Sequence, residues 1–400
     1  MIGWIMLSPK AVASAEAALH SDELGVRDEV GFLALHQAFS DRFFPGTSVL
    51  HTRLRYALFV PWLMLHAQGD AAQLRKHEMA LTWQLNLGVD KGNGVIGGTI
   101  LPRAPSQPAS MIYWTALSRW RILHARPDGT ISSRSDVLKR ILVTNRLGLG
   151  RHRTDDGEPS ADEDLSPFVR LPDPPATFLK AGEPLDFRVT PKERTFLRRQ
   201  LIGVSRGSMQ HSTQCLLARL AEHGLPEGRV EAPWSKAVFS IADADDQRAL
   251  SIAKRAAALT GIGRALYAAL VEDAKAGDGA ERTTRHREDV RKMVAEFGND
   301  AMALDMAELR SLVPGLSGYL ADVLVQTHKW LHAGKDAVAP LRDIYQLAEV
   351  ERKGSRARLA ANLGGRRRRA EWSAADHPLA APLHFRWQNV CRLLIDLRAP

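Results

Sequence analysis

FFPGTSVLHTRLRYALFVPWLMLH, residues 43–66, is the stretch on which the reading of the whole chain turns. Pro45 and Gly46 dictate a turn, and Thr47 or Ser48 can then accept a hydrogen bond from the free amides of a following helix. Leu50, Leu54, Leu58 and Trp62 recur every four residues, with Phe59 and Leu65 beside them, so the spacing predicts a helix with one broad buried face. Pro61 lies inside that run and is expected to kink or split it. Arg53 and Arg55 fall off the apolar face. Taken alone they are two solvated arginines on a core helix; in a basic chain they become candidate phosphate ligands.

The chain is basic. Its 400 residues hold 54 Lys and Arg against 45 Asp and Glu, a net charge of +9, which favours a polyanionic partner with nucleic acid first in line. A hydrophobic content of 45% supplies a sizeable globular core. Cys215 and Cys391 are too few for a disulfide framework or a thiolate zinc site and suit a reducing, cytoplasmic setting. No run approaches the roughly 20 apolar residues of a membrane span. The opening MIGWIMLS has too short an apolar core, and no preceding basic residue, for a signal peptide.

Outward from the opening stretch, residues 11–21 and 28–43 read as helices separated by an acidic loop that carries Glu23. Residues 70–88 read as another helix. Gly92, Gly94 and Gly97 spell GxGxxG, but the dinucleotide motif needs a strand before it and a helix after it. Pro102, Pro105 and Pro108 forbid that helix, so 92–110 is a glycine-proline loop. Residues 111–122 are a short helix whose Tyr113, Trp114 and Trp120 are either core or the walls of a base-stacking pocket. Six acidic residues fall between Asp155 and Asp164, and Pro159, Pro167, Pro172, Pro174 and Pro175 prolong that segment into a solvated linker.

From Thr190 the chain is helical, with Thr190-Pro191 and Glu193 marking a start. Helices are predicted at 212–223, 243–260, 263–275, 281–297, 302–312, 317–332 and 339–361. Residues 309–326, LRSLVPGLSGYLADVLVQ, resemble the helix-hairpin-helix of DNA repair glycosylases, whose turn offers backbone amides to a phosphate. Tyr319 and Asp336 stand near the places of that motif's lysine and aspartate, and an ordinary αα-corner has the same pattern. Arg352, Lys353, Arg356, Arg358 and Arg366 to Arg369 put eight basic residues into eighteen, the densest positive run in the chain and a phosphate-contact candidate against a solvated surface run. In the closing PLHFRWQNVCRLLIDL, Arg392 and Asp396 have the i,i+4 spacing of a helical ion pair. Walker, HExxH and CxxC motifs are absent, so neither a metal nor another cofactor is called for. His328 and His332 share a helix face without a third ligand. Asp343, Glu351 and Lys353 imitate a metal-dependent nuclease motif, in a helical setting where that chemistry wants strands.

GWIMLS (3–8), DELG (22–25), FPGTSVLHTRLRYALFVPW (44–62), GVIGG (94–98), SMIYWTAL (110–117) and HFRWQNVCRLLIDL (384–397) together resemble an uncharacterised bacterial family, a domain of unknown function found in phage-defence neighbourhoods. The chain also resembles the Brig-type defence DNA glycosylases, which remove glucosylated hydroxymethyl-cytosine from phage DNA. The resemblance implies double-stranded phage DNA with modified bases as partner, no membrane, and base excision that leaves an abasic site.

Such chemistry asks for a phosphate grip, a pocket for a flipped nucleotide and a carboxylate for the oxocarbenium-like sugar. Ser48, Arg53, Arg55, Arg366, Arg367, Arg368, Arg369 and Arg386 are the candidate nucleic-acid contacts. Trp4, Tyr113 and Trp114 are the candidate base pocket, and Asp41 and Glu23 the candidate catalytic carboxylates, although a cap or an ion pair with Arg53 or Arg55 accounts for either one. A non-catalytic DNA-binding adaptor of a defence complex is the alternative, and a metal-dependent nuclease a further one. The fold expected is mainly α and multi-helical: an N-terminal helical domain over 1–150 with the candidate site, an acidic, proline-rich linker or loop over 151–189, and a C-terminal α-helical, basic array over 190–400.

Overall fold

The computed structural model describes residues 28–88, 93–126, 129–146, 166–206, 213–226, 228, 230–334 and 336–398. Trp4, Glu23 and the acidic run 155–164 lie outside them. Among the described residues the fold is mainly α, as expected: sixteen α-helices accompany one two-residue antiparallel ladder, Ser205–Arg206 against Thr213–Gln214. No helix among them is long and apolar enough to cross a membrane.

The chain forms two compact units, neither of them continuous in sequence. The first takes the described part of 1–39 with 244–385; the second takes 40–243 with 386–400. This grouping differs from the chain-order division at 150 and 190, because the last helix returns to the unit that contains the opening stretch. The division falls within helix α1, Leu33–Phe43.

In the first unit the axis is α10, Ala244–Gly277, a single 34-residue helix. It takes the place of the two helices predicted at 243–260 and 263–275 and runs unbroken through Gly261 and Gly263, which do not act as helix breakers. They are close-packing positions instead: a Cβ on Gly261 would lie 2.7 Å from the Met293 Cε, and one on Gly263 2.7 Å from the Phe32 ring. Helix α11, Arg285–Met302, packs along α10, followed by α12, Met306–Leu312, and α13, Gly318–His332. The α12–α13 pair is a helix-turn-helix corner, with Ser317 capping Leu320. Helix α14, Arg342–Lys353, leads through a short 3-10 turn, Gly354–Arg356, to α15, Leu363–Ala370.

The second unit is built around α2, Tyr56–His66, whose residues 56–64 are all buried. A helix apolar on every side belongs in the middle of a core rather than on its edge, so the one-faced helix expected from the four-residue spacing is corrected. Pro61 does not divide it. The remaining helices are α3, Ala71–Leu87; α4, Ala109–Ile112; α5, Trp114–Arg119; α6, Arg134–Arg146; α7, Pro191–Ile202; α8, Leu216–His223; α9, Lys236–Phe239; and α16, Trp387–Arg398. Residues 166–189, expected as the end of a solvated linker, are packed against this core. Phe178 meets Phe59, Trp62 and His66, and Phe187 meets Tyr56. Gln84 closes the segment by donating to the carbonyls of Thr177, Lys180 and Glu183.

Candidate functional site

The turn at Pro45-Gly46 is longer than the spacing predicts. Helix α2 begins at Tyr56, and residues 47–55 form an irregular strap ahead of it. Gly46 has φ +80°, and a Cβ there would stand 2.7 Å from the Arg119 Cβ and 2.9 Å from the Trp120 indole nitrogen, so the turn requires glycine. The Thr47 hydroxyl donates back to the Phe44 carbonyl at 2.7 Å and Ser48 accepts from Leu50, so neither caps α2.

Segments distant in sequence close on this strap. From α4–α5, the Tyr113 phenol accepts from the amides of Thr52 and Arg53, both at 3.1 Å, and donates to the Arg53 carbonyl at 2.7 Å. From α16, Asp396 accepts from the Arg53 Nε at 3.0 and 3.1 Å and from the Leu54 amide at 2.8 Å. Asp396 therefore pairs with Arg53 and not with Arg392. Asn389 of the same helix donates to the carbonyls of Val49 and His51, and Trp387 packs on Phe44.

Arg55 is the most enclosed of the expected phosphate ligands. It is 4% exposed and pairs with Glu193 at 2.8 Å and Asp186 at 3.4 Å. Glu193 also accepts from the Thr190 amide while its own amide donates to the Thr190 hydroxyl, so the capping box of α7 and the head of α2 share one carboxylate. Arg386 donates to Asp41 at 2.7 Å and to the Thr47 carbonyl at 2.8 Å. Asp41 is thus an exposed ion-pair partner near the end of α1. Tyr113 is fully buried, and Trp114 is half-buried with its indole N–H on the Ser132 carbonyl. These two aromatics are held by intramolecular packing and do not form an open base pocket.

His51 lies at the centre of the strap, fully buried and stacked on Tyr113 at 4.2 Å between ring centroids. Its Nε2 faces the Ile112 carbonyl at 3.2 Å, which requires the Nε2–H tautomer. Burial lowers its pKa to about 4, the Ile112 bond opposes that shift and the Arg386 charge adds to it. Burial likewise raises the Tyr113 pKa well above the usual phenol value against the donated amides. Near neutral pH both rings are uncharged, so the strap is a neutral clasp tied by the carboxylate-arginine pairs of Arg53, Arg55 and Arg386.

The arginine run of the first unit is arranged differently. Arg369 is 5% exposed; it donates to Asp278 at 2.6 and 3.0 Å and to the carbonyls of Arg358 and Ala360. Arg366, Arg367 and Arg368 are exposed. Arg366 reaches the Asp278 carbonyl at 3.2 Å and its carboxylate at 4.0 Å, and Arg368 pairs with Glu371 on the surface.

Sequence reasoning missed Asp396, Glu193, Asp186 and Asp278 as partners and His51 as the centre of the strap. Asp396 carried a readable signal, since it shares the side of α16 that buries Leu393 and Leu397. Asp343, Glu351 and Lys353 all lie on α14, and the buried acid of that helix is Glu349, which accepts from Lys353 and from the Leu359 amide. His328 and His332 are in edge contact, with His328 on the Met302 carbonyl. Among the described residues no three His, Cys, Asp or Glu side chains group closely enough to hold a metal. No curated protein and no solved structure matches the chain. Residues 1–140, which include the strap as far as Tyr113 but not its α16 partner, are similar to a family of unknown function (DUF6361).

Proposed function

We propose that the protein binds DNA and serves in phage defence, gripping the sugar-phosphate backbone with the exposed arginines of the 352–369 segment. The observation that carries this reading is the outward display of Arg366, Arg367 and Arg368 on one short helix whose fourth arginine, Arg369, is buried as its anchor. Exposed guanidiniums in series neutralise phosphates and release counterions, which is the main source of sequence-independent affinity for DNA.

Two readings of the role played by the bound protein come from different observations. The family resemblance supports a DNA glycosylase that excises glucosylated hydroxymethyl-cytosine and leaves an abasic site. The engagement of Asp41 by Arg386 and the burial of Tyr113 favour a non-catalytic adaptor, because they leave that carboxylate and that ring in structural roles. The deciding experiment incubates the purified protein with unmodified DNA and with phage DNA carrying the glucosylated base, and then applies an abasic-site probe. Abasic sites confined to the modified DNA establish the glycosylase. Salt-sensitive binding without abasic sites establishes the adaptor, and no binding to either DNA at about 50 mM salt, where phosphate contacts are strong, refutes both.

A further inference from the structure

Two helices, one in each unit, turn large apolar side chains to the outside. On α3, Lys76, Ala80, Trp83 and Leu87 are spaced i, i+4, i+7 and i+11, which puts them on one face. Ala80 is half-buried and the other three are exposed, Trp83 at 49% and Leu87 at 55%, while Leu74, Leu81 and Leu85 fill the buried side. The turn Gly98–Ile100 lies against the same end of the helix, where Asn86 donates to the Gly98 carbonyl at 3.1 Å, and it adds the exposed Ile100. Apolar side chains grouped in water mark an interaction surface. The nearby carboxylates are turned elsewhere: Asp70 caps the helix, and Glu78 accepts from the Ser110 amide at 3.1 Å. Lys76 is left as the charge of this face, with no ion-pair partner among the described residues.

On α14, Asp343, Leu347 and Val350 follow one another at i, i+4 and i+7 and are all exposed, Leu347 at 55%, with the exposed Glu351 beside them. Tyr345, Ala348 and Glu349 fill the buried side of this helix. Its cations lie off the exposed face: Lys353 pairs with Glu349 at 3.0 Å, Arg352 pairs with Asp28 at 2.7 Å, and Arg342 stands about 100° round the helix from Asp343. The two faces therefore match in spacing and oppose in charge. A cation, a small residue and a tryptophan on α3 repeat the spacing of an anion, a leucine and a valine on α14.

We infer that the α3 face of one copy of the protein docks, in parallel, on the α14 face of a second copy. Lys76 then meets Asp343, Leu347 sits over the small Ala80, and Trp83 covers Val350; the equal rise of the two helices keeps all three pairs in step. Opposite charge at the leading end fixes the register. A second α3 is the poorer occupant, because it brings no carboxylate to Lys76. The contact is heterologous: each copy offers one face of either kind, so a docked copy still presents a free α3 or α14 face, and association runs on into chains or closes into a ring. The inference goes beyond the proposed DNA binding and does not depend on it.

The test is analytical ultracentrifugation of the full chain, freed of nucleic acid by nuclease and high salt. A contact this small belongs with weak, micromolar interfaces, so the weight-average mass should rise at least about twofold between roughly 1 and 100 μM protein. Trp83→Asp and Leu347→Asp change exposed positions and should each leave the thermal melt within about 2 °C of the native one and the protein monomeric. An equimolar mixture of the two should form dimers and stop there, because the first variant keeps only its α14 face and the second only its α3 face. Lys76→Glu or Asp343→Lys alone should weaken association about tenfold, and both exchanges on one chain should restore it, as a direct charge pair requires. A native chain that stays monomeric throughout that range overturns the inference. So does a mixture that stays monomeric, which would give the two faces to other partners. Loss of association with Trp83→Asp but not with Leu347→Asp would mean that α3 meets itself, and overturns it equally.

Discussion

The strap at residues 47–55 and the arginine run at 366–369 look alike in sequence and are opposite in chemistry. Arg53, Arg55 and Arg386 are taken up by Asp396, Glu193 with Asp186, and Asp41 respectively, at 2.7–3.4 Å. Arg366, Arg367 and Arg368 are exposed. Arg366 and Arg368 reach Asp278 and Glu371 from the surface, so only Arg369 is enclosed as the first group is. A basic count therefore says little until each guanidinium's partner is known: a buried arginine locks a fold, whereas an exposed one stays available to a phosphate.

The largest effect should come from opening the closed group. Arg55→Ala leaves Glu193 buried and unpaired, and breaking such a pair costs about 3–5 kcal/mol. Chemical denaturation should report that loss. Arg369→Ala should behave the same way at roughly 3 kcal/mol, since four hydrogen bonds to Asp278 and two carbonyls disappear. An Arg369→Ala variant as stable as the native protein would erase the distinction inside the run.

The next effect is a pH dependence within the strap. His51 has a folded-state pKa of about 4 against 6.5 in the unfolded chain. The unfolded state therefore binds the proton first. The stability that the neutral ring contributes is complete above pH 6.5 and is lost as pH falls toward 4, by roughly 3 kcal/mol in all. His77 and His384 also have lowered pKa values, so the measurement is a difference. Replacing His51 by Gln, which keeps an N–H for the Ile112 carbonyl, should flatten the stability curve between pH 6.5 and 4. An unchanged slope would place the acid sensitivity elsewhere.

These residues also mark what could be read from the sequence. The start of α7 was legible because its signal is local: Thr190, Pro191 and Glu193 complete a capping box within four residues. The helix-turn-helix corner at 309–326 was legible for the same reason. The start of α2 was not, because the amides of Arg53 and Leu54 are taken by Tyr113 and by Asp396, the latter 343 residues from Arg53 along the chain. The continuity of α10 was not legible either, because Gly261 and Gly263 are poor helix formers by themselves and sit in it where Met293 and Phe32 pack close. In the candidate site, the density of the arginine run announced a charged surface. Which of its four members turns inward was decided by Asp278 and two carbonyls from other elements, and no spacing in the run encodes that.

A smaller effect tests the hydrogen-bonded part of the strap. Tyr113→Phe keeps the ring stacked on His51 but removes the oxygen that accepts two amides and donates to the Arg53 carbonyl. Leaving those groups without a partner should cost about 1–3 kcal/mol, and hydrogen exchange at the Thr52 and Arg53 amides should accelerate ahead of the rest of the core. Uniform acceleration throughout that unit would mean that the strap unfolds only with the core around it.

The smallest effect on stability is the most informative for the open group. Arg367 is exposed and has no ion-pair partner among the described residues. Arg367→Ala should hold Tm within about 1 °C of the native value. The same substitution should weaken DNA binding and reduce the slope of log K against log salt by about 0.9, one phosphate contact. The two readouts are needed together. A fall in Tm like that of Arg55→Ala would make Arg367 another internal lock, whereas an unchanged salt slope would leave it a solvated arginine with no phosphate to meet. Only unchanged stability with a shallower slope keeps the strap and the run as two different uses of the same side chain.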